Sequence, residues 1–98
     1  MAVSTIKNTR LIREDINIPI TWGSTSSSVN WTQEVDATKS GYMLIAVSYN
    51  VGGSGGTNIV GQARIISDTT VYCTARALSA PSSLTANTFR LTATYQPI

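Results

Sequence analysis

Few groups in this chain could carry out covalent or acid–base chemistry. It has no histidine, one cysteine (Cys73), and the carboxylates Glu14, Asp15, Glu34, Asp36 and Asp68. A cysteine nucleophile needs a base beside it, and histidine is the usual one. Cys73 instead shares the apolar parity of Val71, Ala75 and Ala77, so a buried, inert thiol is expected. Glu34 and Asp36 share a strand face, yet two carboxylates alone make neither a calcium loop nor a persuasive acid–base pair. The acidic residues show no metal-binding spacing. Gly52-Gly53-Ser54-Gly55-Gly56 is not a phosphate loop, because no Gly-Lys-Ser/Thr follows and no helix opens there. Serine or tyrosine chemistry would remain, and nothing in the chain activates either. The expectation is a protein without catalysis, metal or cofactor.

Binding chemistry is better represented. Trp22 borders a polar stretch, where an indole face could stack on a sugar ring and its N–H could reach a hydroxyl. Its parity also continues Ile16, Ile18 and Ile20, which is a core position. Ser24, Asn50, Ser54, Asn58 and Ser82 offer hydroxyls and amides in or beside the long polar stretches. Arg64, Arg76 and Arg90 occupy the polar parity of three consecutive segments. On neighbouring strands they would form one basic stripe, suited to an anionic glycan or to a subunit interface. Trp31 shares a parity with Val29 and Val35 and belongs to the core. Asn30-Trp31-Thr32 fits the N-glycosylation pattern, which a cytoplasmic origin would leave unused.

Strands must position these residues. From Thr88 to Tyr95, Phe89, Leu91, Ala93 and Tyr95 alternate with Thr88, Arg90, Thr92 and Thr94. Successive side chains of a strand point to opposite faces, so one face is dry and one wet. The same alternation runs through 10–22, 29–37, 58–66 and 70–78, with Glu14 interrupting the first of these. Pro19 lacks an N–H, which predicts an edge strand or a strand end. Tyr42 to Tyr49 is apolar on both parities, which predicts a strand covered on both faces. The fold class expected is all-β: an antiparallel β-sandwich, jelly-roll-like, of about six to eight strands over 10–98. Residues 1–9 lack alternation and read as an N-terminal arm, docked on a partner or frayed.

Strand directions then place the loops. Antiparallel succession puts the connections at 21–28, 51–57 and 79–86 at one end and the short turns at the other. Loops on a rigid β-scaffold are common binding surfaces.

Charge and hydropathy narrow the partners. The formal net charge of +2 and the absence of a basic cluster argue against nucleic acid. No apolar run reaches membrane-spanning length, and 1–7 has no signal-peptide core, so synthesis and assembly in a cytoplasm are expected. Charged residues make up 12% of the chain, about half the usual share, so few charges guard the sheet edges. Oligomerisation would hide those edges.

Ser40-Gly41-Tyr42-Met43-Leu44-Ile45-Ala46-Val47 resembles a strand of the small receptor-binding tip domains of phage and prophage tail fibres from gut bacteria. The glycine-rich stretch at 52–56 and the closing strand Phe89-Arg90-Leu91-Thr92-Ala93-Thr94-Tyr95 fit the same pattern, which covers roughly 28–98. No fibre shaft or collagen-like stem accompanies them, so a separate virion protein and a fibre domain both stay open. The resemblance implies a homotrimer on the virion surface that contacts other virion proteins and binds a bacterial surface carbohydrate. The alternative is a structural or decoration protein that binds virion subunits and no glycan.

Overall fold

The computed structural model describes residues 10–26, 29–53, 58–81 and 83–98. The arm at 1–9 lies outside the described residues. The described chain forms six strands: β1 (Ile12–Ile20), β2 (Asn30–Asp36), β3 (Tyr42–Gly53), β4 (Ile59–Ile65), β5 (Thr70–Ala77) and β6 (Asn87–Pro97). They make two three-stranded antiparallel sheets, sheet A in the order β1-β6-β3 and sheet B in the order β2-β5-β4. β1 lies beside β6, β2 beside β5, and β3 packs along β4. This is the path of one long antiparallel ribbon rolled over on itself, as the jelly-roll-like expectation requires.

The alternating parity drives the packing. Ile18 and Ile20 of β1 with Phe89, Leu91, Ala93 and Tyr95 of β6 form the dry face of sheet A. Trp31 and Val35 of β2 with Val71, Cys73, Ala75 and Ala77 of β5 form that of sheet B. The two faces meet where the Trp31 and Phe89 rings lie 5.6 Å apart. Tyr95, buried to its tip, donates its hydroxyl to the Ala37 carbonyl at 2.7 Å. That bond satisfies a polar group that would otherwise be costly to bury. β1 is an edge strand, as Pro19 predicts.

Tyr42–Tyr49 does not follow its sequence reading. β3 is an edge strand and is not covered on both faces. The pairing with β6 slips between Leu44 and Ala46: Leu44 faces Tyr95, and Ala46 faces Thr94. This β-bulge inserts Ile45 and exchanges the two parities. Leu44 is buried before the bulge and Val47 turns inward after it, while Ile45 stands 37% exposed. Two half-apolar runs of opposite phase therefore look like one doubly apolar run.

The sandwich is closed on one side and open on the other. Tyr49 bridges β3 and β4 by donating its hydroxyl to the Gly61 carbonyl. No comparable contact joins β1 to β2. There, Gln33 sits on the inward parity between Trp31 and Val35 and is exposed, as is Glu14 on β1. Glu14 pairs with Lys39, the one ion pair among the described residues. The interruption of the first apolar run by Glu14 thus marks the open side.

Candidate functional site

The long connections converge on one end. Trp22 N–H donates to Leu84 O at 2.8 Å, tying the β1–β2 connection to the β5–β6 connection. Leu78 N–H donates to Asn58 O at 2.7 Å, and Ala77 N–H donates to Val29 O at 2.9 Å. The turns at 37–41 and 66–69 lie at the opposite end, where Ala37 N–H reaches Thr69 O and Leu44 N–H reaches Asp68 O. The start of β1 and the end of β6 share that end, since Ile12 faces Tyr95.

Trp22 is not a stacking platform. It is 1% exposed, and its indole Nε1–H donates to Asn87 Oδ1 at 2.9 Å. It continues the dry face of β1, so no sugar can reach its ring. Ser24 is half-buried and accepts the Ser26 N–H in a local turn. Asn58 is exposed at the loop end, beside the close of β5. Ser54 and Ser82 lie outside the described residues.

The arginines do not form one stripe. β4 and β5 are neighbours, but β5 and β6 belong to different sheets. Arg64 faces Tyr72 and Arg76 faces Val60, which separates the two by about 13 Å along the strands. Arg64 lies over the Tyr72 ring at 5.4 Å. Arg90 is on the outer face of sheet A, on the far side of the sandwich. Strand adjacency is set by the winding of the chain, and consecutive segments do not reveal it.

A different arrangement replaces the stripe. Each sheet carries an arginine on its middle strand near the loop end, flanked by asparagine. On sheet B, Arg76 stands between Asn30 and Val60. These residues, with Thr32, Gln62 and Thr74, line a groove of about 350 Å³. On sheet A, Arg90 stands between Asn17 and Asn50. A smaller recess of about 220 Å³ lies there, bounded by Asp15, Ser48, Tyr49, Asn50, Arg90 and Thr92. Thr92 Oγ1–H donates to Asp15 Oδ1 at 2.9 Å. The structure thus joins Asn50 with Arg90, two residues singled out in the sequence, and adds Asp15, Asn17, Ser48 and Thr92. Their signal was the wet parity of β1, β3 and β6, which cannot be assembled until the order of sheet A is known.

The remaining candidates are quiet chemically. Burial pushes the Cys73 thiol up to about 11, so it is protonated and unreactive at neutral pH. Asp36 accepts bonds from both the Thr38 hydroxyl and the Thr38 N–H, which hold its carboxyl below the usual range. With Glu34, Thr38, Thr69 and Thr70 it borders an acidic depression of about 390 Å³ on sheet B, at the turn end. Among the described residues, no three His, Cys, Asp or Glu side chains stand together to hold a metal. No helix among them is long and apolar enough to cross a membrane. Comparison with family models, with curated proteins and with solved structures finds no match to this chain.

Proposed function

We propose that this chain is a virion-surface receptor-binding domain of the phage tail-fibre tip kind. It recognises a bacterial surface carbohydrate without chemically altering it, acts as a homotrimer, and is assembled in the bacterial cytoplasm. The observation that carries this reading is the convergence of the long connections at one end, held together by backbone hydrogen bonds. Arg76 and Arg90 stand near that end on opposite outer faces, each beside an asparagine amide. Forked guanidinium donors and amides suit hydroxyl-rich or anionic sugars. A single shallow site of this kind binds weakly, and three copies on one axis would raise avidity through effective concentration.

The test is adsorption of the fluorescently labelled protein to a panel of gut bacteria, with light scattering on the same sample. Strain-selective adsorption by an oligomer is expected, with loss of adsorption when Ser24, Asn58 and the residues at 79–86 are replaced. Retained adsorption by a folded loop variant would sink the reading.

A second reading is a structural or decoration protein of the virion. Val60 favours it, since it stands 52% exposed on the outer face of sheet B, and Ile66, in the turn after β4, is 47% exposed. Leu78 and Leu84 are also exposed near the loop end. Under this reading, deletion of residues 1–9 abolishes incorporation into virions, and loop replacements leave it intact.

A further inference from the structure

The outer face of sheet A carries more detail than a solvated surface requires. Arg90 is exposed on the middle strand, and among the described residues its guanidinium has no ion pair or side-chain hydrogen bond. The group is nevertheless placed: it lies over β3 at Gly52. A Cβ on Gly52 would sit 2.9 Å from Arg90 Cζ and 3.0 Å from Nη2. The missing side chain is the seat on which the guanidinium rests. The cross-strand partners on either side, Asn17 and Asn50, are both exposed and bring one amide each. Thr92 and Ser48 extend the recess toward the turn end, and Asp15 stands beside Thr92.

We propose that this recess binds one carboxylate-bearing sugar unit, of the uronic acid type, within a longer polysaccharide. The proposal rests on the glycan-recognition reading above and names its ligand class. A carboxylate matches the planar fork of a guanidinium with two parallel N–H···O bonds. Holding the guanidinium against Gly52 lowers the entropy lost when that fork engages. Asn17 and Asn50 supply both donors and acceptors for ring hydroxyls. Asp15 narrows the class of anion. Its negative charge, in the recess that Arg90 also lines, disfavours a doubly charged phosphate monoester, while its remaining acceptor capacity suits sugar hydroxyls. A singly charged ligand rich in hydroxyls satisfies both neighbours. The recess is smaller than the roughly 300 Å³ that begins to enclose a drug-sized ligand, so one unit enters and the rest of the polymer runs over the sheet.

The experiment is an NMR titration of the full chain with oligogalacturonates and with glucuronate-containing oligosaccharides. Carboxyl-reduced versions of the same oligosaccharides and glycerol-phosphate oligomers serve as comparisons. Shifts are expected at the Arg90 Nε–H and at the Asn17 and Asn50 side-chain amides. Affinity should fall at least tenfold on carboxyl reduction and at least tenfold in Arg90→Gln. Gly52→Ala keeps every charge and has no left-handed backbone to strain, yet it displaces the guanidinium. It should weaken binding several-fold with the fold intact. Equal affinity for the reduced oligosaccharides, unchanged binding by Arg90→Gln, tighter binding of the phosphate oligomers, or no shifts at millimolar acidic oligosaccharide would each overturn the proposal. Strain-selective adsorption that survives Arg90→Gln but is lost on loop replacement removes this site and keeps the receptor-binding reading. Binding of acidic oligosaccharides at Arg90 without adsorption to any strain keeps the site and removes that reading.

Discussion

Trp22 and Asn87, far apart in the chain, are joined by a buried hydrogen bond of 2.9 Å between the indole Nε1–H and the amide Oδ1. One follows β1 and the other opens β6, so the bond fastens the loop end of sheet A to its core. Asn87 also reaches the Gly52 carbonyl with its Nδ2–H. It is the one buried polar residue among the described residues, and it is buried with its partners. Asn87→Ala should cost about 1–3 kcal/mol, because it strands the Trp22 N–H away from water. Urea unfolding of Asn87→Ala, Trp22→Phe and the double variant provides the check. A coupling below about 0.5 kcal/mol would show that the bond contributes little.

The glycines at 41 and 53 both have a left-handed backbone, with φ of 82° and 106°. Their surroundings differ. A Cβ at Gly41 meets nothing within 4 Å, whereas one at Gly53 would lie 2.2 Å from the Ala86 carbonyl oxygen. Gly41→Ala should cost about 1–2 kcal/mol, the price of backbone strain alone. Gly53→Ala should cost clearly more, because the β3 end and the residue before β6 must part. Thermal melts of the two variants decide it, and equal midpoints would contradict the close approach.

The bulge in β3 makes two adjacent aliphatic residues unequal. Leu44 is 4% exposed and Ile45 is 37% exposed. Leu44→Ala should cost about 2–5 kcal/mol. Ile45→Ala should cost less than about 1 kcal/mol. Comparable losses in denaturant unfolding would mean that both faces of the strand are covered after all.

Cys73 should be silent toward thiol reagents in the folded protein and react once urea opens the core. Burial raises its pKa from 9.0 to about 11, which favours the neutral thiol in the folded state. The associated stability is present below pH 9 and is lost as pH rises toward 11. Native labelling at pH 8, at a rate close to that of the unfolded chain, would refute the burial. Cys73→Ala should also flatten the alkaline fall in stability.

Much of this architecture is legible along the chain because a strand records its own two faces. The apolar parity of β6 is the dry face of sheet A, and Pro19 marks an edge strand as its missing N–H requires. Tyr42–Tyr49 misleads because a bulge is an offset between two strands, and only the partner reveals it. Trp22 borders a polar stretch, yet its ring turns inward because Asn87 waits there for its N–H. The arginines mislead for a related reason. Each was placed correctly on a wet parity, but which wet faces coincide depends on how the ribbon is rolled. The Arg90 recess draws on β1, β3 and β6, and no local window contains all three.

The order β1-β6-β3 has a consequence for how the molecule comes into being. The middle strand of sheet A is the last of the six to be made, so β1 and β3 have no partner in their sheet until β6 has emerged from the ribosome. Sheet B, completed by β5, can pair earlier, but its dry face needs Phe89, Leu91 and Tyr95 as a lid. Closing β1 onto β6 spans nearly the full described sequence, and such distant pairing is slow because its loop entropy is lost before contacts compensate. Sheet A therefore forms only after the other five strands have been made. During that interval β3, twelve residues without a single charge, is the segment most exposed to the wrong partner.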